Sequence, residues 1–231
     1  MTQTTPEPEE WPRLLSAAKH LQSILPDAIL VGGSAAVLHA GHRLSLDADH
    51  VLNHLREHFD EVLQRLEREP EWRTERMRKP VMILGELDGV LTGVRQLRRT
   101  SALELDVIAG IRVPSLPEMA RIKAFMLVSR ATTRDYLDTV VLMERLGDER
   151  VRVAFSRFNE IYERGPDGGL PLVELVDRLG AAWTWDRTAV ELRTYKRRAP
   201  PWNDWDKLSE RGRFWATCLG PLAVGPDALG R

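Results

Sequence analysis

The chain has 231 residues, with 33 Lys and Arg against 34 Asp and Glu, a formal net charge of -1 and 43% hydrophobic residues. That balance excludes a disordered polyelectrolyte and confines any nucleic-acid contact to local basic patches. The single Cys218 excludes an internal disulfide framework and a cysteine-built zinc site and fits a reducing cytoplasm, and no apolar run approaches the roughly 20 residues that span a bilayer.

Residues 1–10 are polar, acidic and proline-bearing, unlike a secretory signal, and read as a disordered leader. Trp11 to Leu25 carries apolar residues at helical spacing and stops before Pro26. The run from Ala28 to Val51, AILVGGSAAVLHAGHRLSLDADHV, reads as a short apolar strand, a Gly-Gly-Ser turn, a helical turn or two and a second strand carrying Asp47 and Asp49. Leu52 to Glu69 predicts an amphipathic helix with Leu55, Phe59, Val62, Leu63 and Leu66 on one stripe, ended by Pro70. The pattern then alternates, predicting strands over Trp72–Met77, Val81–Leu87, Val90–Leu97 and Leu103–Ala109, with Asp88-Gly89 as a hairpin turn. In the last of these, Leu103, Leu105 and Val107 form an apolar face expected to pack on helices, and Glu104 and Asp106 share the other face.

Beyond Pro114 and Pro117 the spacing predicts helices over Met119–Ser129 and Thr133–Leu146, the second capped by Thr132 or Thr133. Two more helices are expected between 151 and about 200 around a Gly-Pro-Asp-Gly-Gly loop at 165–169, followed by a tryptophan-rich tail. The expected fold class is α/β (α+β): a small mixed sheet of about five strands flanked by helices. The division is a leader (1–10), a core (11–113) and a helical C-terminal region (114–231) that completes the active site.

The chemistry concentrates in the Gly-Gly-Ser stretch. Gly32 and Gly33 allow close approach of the backbone to a ligand, and the helix that follows offers unpaired N–H groups to an anion. Alternate strand residues share a face, so the carboxylates of Asp47 and Asp49 project side by side and are equipped to hold a divalent cation. Asp106, on a separate strand, is the natural third carboxylate, since two or three such groups can hold two metal ions about 4 Å apart around a transferring phosphorus. The bland alternative is an Asp-rich solvated turn; the preceding Gly-Gly-Ser favours the functional reading.

The run GGSAAVLHAGHRLSLDAD resembles the signature of the nucleotidyltransferase fold, the DNA polymerase beta superfamily, and within it the AbiEii/AbiGii group of toxin-type nucleotidyltransferases. Arg43 and Ser45 fall on the group's Arg-x-Ser, and Asp47 and Asp49 on its metal pair. The later run RIKAFMLVSRATTRDYLDTVVLMERL is similar to a second signature, a helical Lys followed by Arg-Asp-x-x-Asp. The resemblance, over residues 28–146, implies that Gly32, Gly33, Ser34, Arg43, Ser45 and Lys123 bind nucleotide. It implies that Asp47, Asp49 and Asp106 hold Mg²⁺ or Mn²⁺, and that Asp135 supports the site with Arg134 and Asp138 nearby. Ala48 and His50 replace the leucine and the aromatic usual in the group, a change expected to touch packing.

Read from the residues alone, Lys123 is as well explained as a snorkelling surface lysine and Asp135 as a helix-dipole partner. His50, His54 and His58 are expected to line a solvated helix face, whereas His42 could face a nucleotide. Two basic clusters, Arg73, Arg76, Arg78 and Lys79 with Arg95, Arg98 and Arg99, and the run 193–198 followed by Trp202, could meet nucleic acid or stand solvated. The function expected is transfer of a nucleoside monophosphate from an NTP to an acceptor hydroxyl. By resemblance the acceptor is RNA, such as a tRNA 3′ end, and the protein is a cytoplasmic toxin neutralised by an antitoxin. The alternatives are a small-molecule or protein acceptor, and a non-catalytic nucleotide- or partner-binding module of the same fold.

Overall fold

The computed structural model describes residues 9–163, 169–186 and 201–224. The chain divides into two compact units, the first built from residues 9–38, 44–100 and 105–114 and the second from 39–43, 101–104 and the described residues after 114. No helix among the described residues is long and apolar enough to cross a membrane.

The first unit contains α1 (Glu10–Ile24), β1 (Ile29–Leu30), α2 (Gly32–Ala40), β2 (Ala48–Leu52), α3 (Phe59–Glu67), β3 (Trp72–Arg78), β4 (Met82–Leu87), β5 (Val90–Gln96), β6 (Leu105–Ile108) and β7 (Ile111–Pro114). Five strands form a mixed sheet in the order β1-β2-β5-β4-β3, in which β2 and β5 run parallel and the other neighbours antiparallel. Its inner face buries His50, Ile83, Leu87 and Val94; Leu21 and Leu25 of the α1 end and Phe59, Val62 and Leu66 of α3 pack into the same core. Each of these large apolar side chains contributes about 1.5–3 kcal/mol on burial.

The expected hairpin at Asp88-Gly89 is present, with φ of 53° and 71° at its two turn residues. The helix expected from Leu52 begins only at Phe59. Leu52 is the last residue of β2, its carbonyl accepting from Leu97 N (2.9 Å), and the Gln96 side chain holds the carbonyl of Asn53 and the amide of Arg56 (2.6 and 2.8 Å). Those bonds to the end of β5 replace the first helical turns, so His50 lies on a strand and not on a helix face with His54 and His58.

β6 also departs from expectation. It pairs only with β7 in a two-stranded ribbon, through a second hairpin at Ala109-Gly110. Leu105 and Val107 are 43% and 68% exposed, so the face expected to pack on helices faces solvent instead.

The second unit is helical: α4 (Leu116–Arg130), α5 (Thr133–Leu146), α6 (Asp148–Phe155), α7 (Phe158–Ile161), α8 (Pro171–Ala181) and α9 (Trp205–Val224). Ser115 caps α4 and Thr132 caps α5, each side-chain oxygen accepting from the amide three residues on. α5 is buried along most of its length and is tied to α8 and α9, with the Tyr136 hydroxyl donating to the Leu179 carbonyl and Trp215 Nε1 to Glu144. Trp215 is buried, whereas Trp183 and Trp185 are exposed. The basic run 193–198 and residues 165–168 of the glycine-rich loop lie outside the described residues.

Candidate functional site

Each unit carries one cluster of chemistry-bearing side chains. In the first, Val31 donates to the carbonyl of Asp49 (2.8 Å), and Gly32 follows with φ of +73°, a conformation that favours glycine and opens α2 at once. A Cβ added at Gly32 would lie 3.7 Å from the Asp49 carboxylate, so the turn passes directly over that side chain. The first amides of α2 have no partner within the helix and point out of its N-terminal end. Ser34 is fully buried and its hydroxyl donates to the Asp47 carbonyl (2.5 Å). The side chain expected to hold phosphate thus fixes the backbone of Asp47 in this structure.

Asp47 stands exposed just before β2, and the Asp49 side chain, on β2, is 42% exposed with Oδ1 3.7 Å from Arg95 Nε. Between them Ala48 points into the core, its carbonyl accepting from Thr92 Oγ1 (2.5 Å) and His50 Nδ1 (2.9 Å). Burial pushes the His50 imidazole down to about 4, against its hydrogen bond with the Ala48 carbonyl, so it is neutral at pH 7, and among the described residues its buried Nε2 has no partner. The departures at positions 48 and 50 are thus core positions, and the two carboxylates are aimed away from that core by the strand's alternation.

Asp106 belongs to another strand. It sits exposed on β6, opposite Val113 in the separate ribbon. Among the described residues no three His, Cys, Asp or Glu side chains converge closely enough to hold a metal ion. The three carboxylates expected from the sequence are thus not assembled into a preformed cluster among the described residues; β6 and β2 belong to different sheets.

In the second unit the centre is Asp138, which is fully buried. Its carboxylate accepts two bonds from Arg43, Nε at 2.7 Å and Nη2 at 2.8 Å, and one from His42 Nε2 at 2.7 Å, and it pairs with Lys123 Nζ at 2.8 Å. Burial alone would raise its pKa; the charges of Arg43 and Lys123 and the bonds from Arg43 and His42 outweigh it and hold the carboxyl well below the usual carboxylate range. Lys123 lies also 3.6 Å from Asp135, whose Oδ2 accepts from Thr132 Oγ1 (2.8 Å). Lys123 is neither a snorkelling surface residue nor open to solvent. Arg43 and His42, expected to face a nucleotide, are buried on Asp138. Ser45 is buried as well. Sequence reasoning placed Asp138 behind Asp135; the i, i+3 spacing of the two on α5 puts them on one helix face and was the available signal.

No protein-family model matches this chain, and no curated protein matches it in sequence. Solved structures do match in fold. MenT4, a nucleotidyltransferase toxin from Mycobacterium tuberculosis, aligns with a TM-score of 0.52 at 15% identity over 94% of this chain and 89% of its own. JHP933 from Helicobacter pylori aligns with a TM-score of 0.51 at 14% identity over 97% and 99%. The chain has the nucleotidyltransferase fold.

Within a nucleotidyltransferase fold, the hard-oxygen pair Asp47 and Asp49 fits Mg²⁺ without a third protein ligand. That ion keeps several waters and is commonly bound by one or two carboxylates together with substrate phosphates, so no closed protein cage is required. The exposed carboxylates beside an amide-rich helix start satisfy both halves of that description.

Proposed function

We propose that this chain is a Mg²⁺-dependent nucleotidyltransferase that moves a nucleoside monophosphate from an NTP to a hydroxyl of RNA and releases pyrophosphate. The observation that carries the reading is the Gly32 turn laid over Asp49 while Ser34 fixes Asp47, which sets an anion-binding helix start beside a carboxylate pair. Asp47 and Asp49 would hold the metal, which would supply neutralisation of the triphosphate charge. The amides opening α2 donate to the triphosphate oxygens, while β2 holds Asp49 and the Ser34 hydroxyl holds the backbone of Asp47. The acceptor oxygen then bonds to the α-phosphorus as the bond to the bridging oxygen breaks; the hydroxyl proton goes to water, and Asp106 is not assigned to it. Catalysis of this kind is mostly positioning and charge stabilisation. Arg43, Lys123 and Asp135 act through Asp138 as positioning residues. Arg43 stands four residues ahead of Asp47 in the chain, and its anchoring limits the freedom of the segment that leads there. By its likeness to a toxin the protein is further proposed to be paired with a neutralising protein.

Incubation with each α-labelled NTP, Mg²⁺ and either total RNA or protein extract tests the reading. Label is expected in RNA, lost with chelator and in Asp47→Ala and Asp49→Ala. Label in protein or in a small molecule would replace the acceptor assignment, and full activity in either variant would end the metal-site assignment.

A further inference from the structure

The strand register sets the outer face of the five-stranded sheet in rows. Asp49 pairs with Gly93, Gly93 with Leu84, and Leu84 with Arg76; one row on, Val51, Arg95, Met82 and Arg78 are aligned. On the other side of the first row stand Leu91, Glu86 and Arg73. Residues opposite one another in register share a face, so Asp49 and Arg76 look out from the same surface, three strand spacings or about 14 Å apart.

The charges on this face are unequal. Arg73 is held by Glu86 at 3.1 Å and Glu75 at 3.8 Å, and Arg95 lies by Asp49. The side chains of Arg76 and Arg78 are exposed and have no ion-pair or hydrogen-bond partner among the described residues. They are two residues apart on one strand face, hence about 7 Å. Between the acidic and basic ends lies an apolar floor. Gly93 leaves room for Leu84, whose Cδ2 would be 2.8 Å from a Cβ there, and Leu91 is 50% exposed.

We propose that this face is the track for a single-stranded nucleic-acid acceptor. Arg76 and Arg78 hold successive phosphates, unpaired bases lie on the Leu84–Leu91 floor, and the strand's end is directed toward Asp49. The direction of the strand rests on the proposed function; the binding does not. Unpaired arginines supply phosphate affinity, and the half-buried Leu84 and exposed Leu91 give the faces of unstacked bases an apolar surface to lie against.

The test measures binding of a labelled oligouridylate to the full chain, without NTP and with chelator, over a range of salt. Replacing both arginines (Arg76→Gln with Arg78→Gln) is expected to weaken binding about tenfold at low salt. It should flatten the slope of log K against log salt by about 1.4, close to 0.7 per lost phosphate contact. The Arg76→Lys, Arg78→Lys pair should restore most of it. Both side chains are exposed, and an unchanged circular dichroism spectrum checks the fold. No binding by the unaltered protein, an unchanged slope in the glutamine pair, or equal competition by polyglutamate or by duplex RNA would overturn the track. Arginine-dependent binding without label transfer supports the track and removes the proposed function alone. Transfer to RNA with an arginine-independent slope removes the track alone.

Discussion

Asp138→Asn is the most direct perturbation of the second unit. The carboxylate takes three hydrogen bonds from Arg43 and His42 and pairs with Lys123 at 2.8 Å, all of it fully buried. Asparagine keeps the shape but removes the charge and turns an amide donor toward one of the cations. Lys123 keeps Asp135 at 3.6 Å, but the paired charge nearest to both cations is gone, and breaking one side of a buried pair costs about 3–5 kcal/mol. Against a total stability of about 5–15 kcal/mol that is a large share. Urea unfolding at pH 7, followed by tryptophan fluorescence, should show the midpoint fall with the slope m unchanged. Adding Lys123→Met removes one stranded cation and should return part of the loss, a coupling that a double-mutant cycle reads directly. The Asp138 pKa is depressed in the fold, so its contribution is present above the unfolded value and vanishes as pH falls through the folded one. The asparagine variant should therefore show a flatter stability profile in acid. A loss under about 1 kcal/mol, or no coupling with Lys123, would refute the network as an energetic centre.

Three further outcomes are expected. The buried His50, held down at about 4 against an ordinary 6.5, should cost the fold stability only below pH 6.5, where the unfolded chain takes up a proton the folded one refuses; the loss reaches about 3 kcal/mol near pH 4, and His50→Leu should flatten it in urea titrations. Gly93→Ala should destabilise by about 3 kcal/mol or more, because its Cβ would stand 2.3 Å from the Ile83 carbonyl and force β5 from β4; an unchanged thermal midpoint would contradict the register. Ser34→Ala should cost about 1–3 kcal/mol by stranding the Asp47 carbonyl and should lower label transfer beyond that of an equally destabilised core variant.

Most strands were legible because alternation with a Asp-Gly turn needs no tertiary information. β7 was missed because its hairpin turns on Ala109, an L-residue held at φ of 52°, where Asn or Asp would have signalled the turn. The late start of α3 depends on Gln96, 40 and 43 residues away in sequence from the backbone groups it captures, and periodicity carries no trace of such a bond. The Gly32–Asp49 arrangement was readable since its parts are neighbours in the chain. The separate ribbon that carries Asp106 was not legible because strand alternation fixes which way a side chain points but not which sheet the strand joins. Asp138 was underrated because charge at helical spacing looks alike whether it meets water or a buried arginine.

β6 is bonded along one side only, with Leu105 and Val107 in the open. Such a margin offers a docking line to any other extended chain, and in crowded solution copies of the protein would add to it end after end. Asp106 sits between those two apolar residues, and Glu104 stands just ahead of them. A charge on an exposed strand edge disfavours its extension by a like copy, and Asp106 places one between the two apolar side chains.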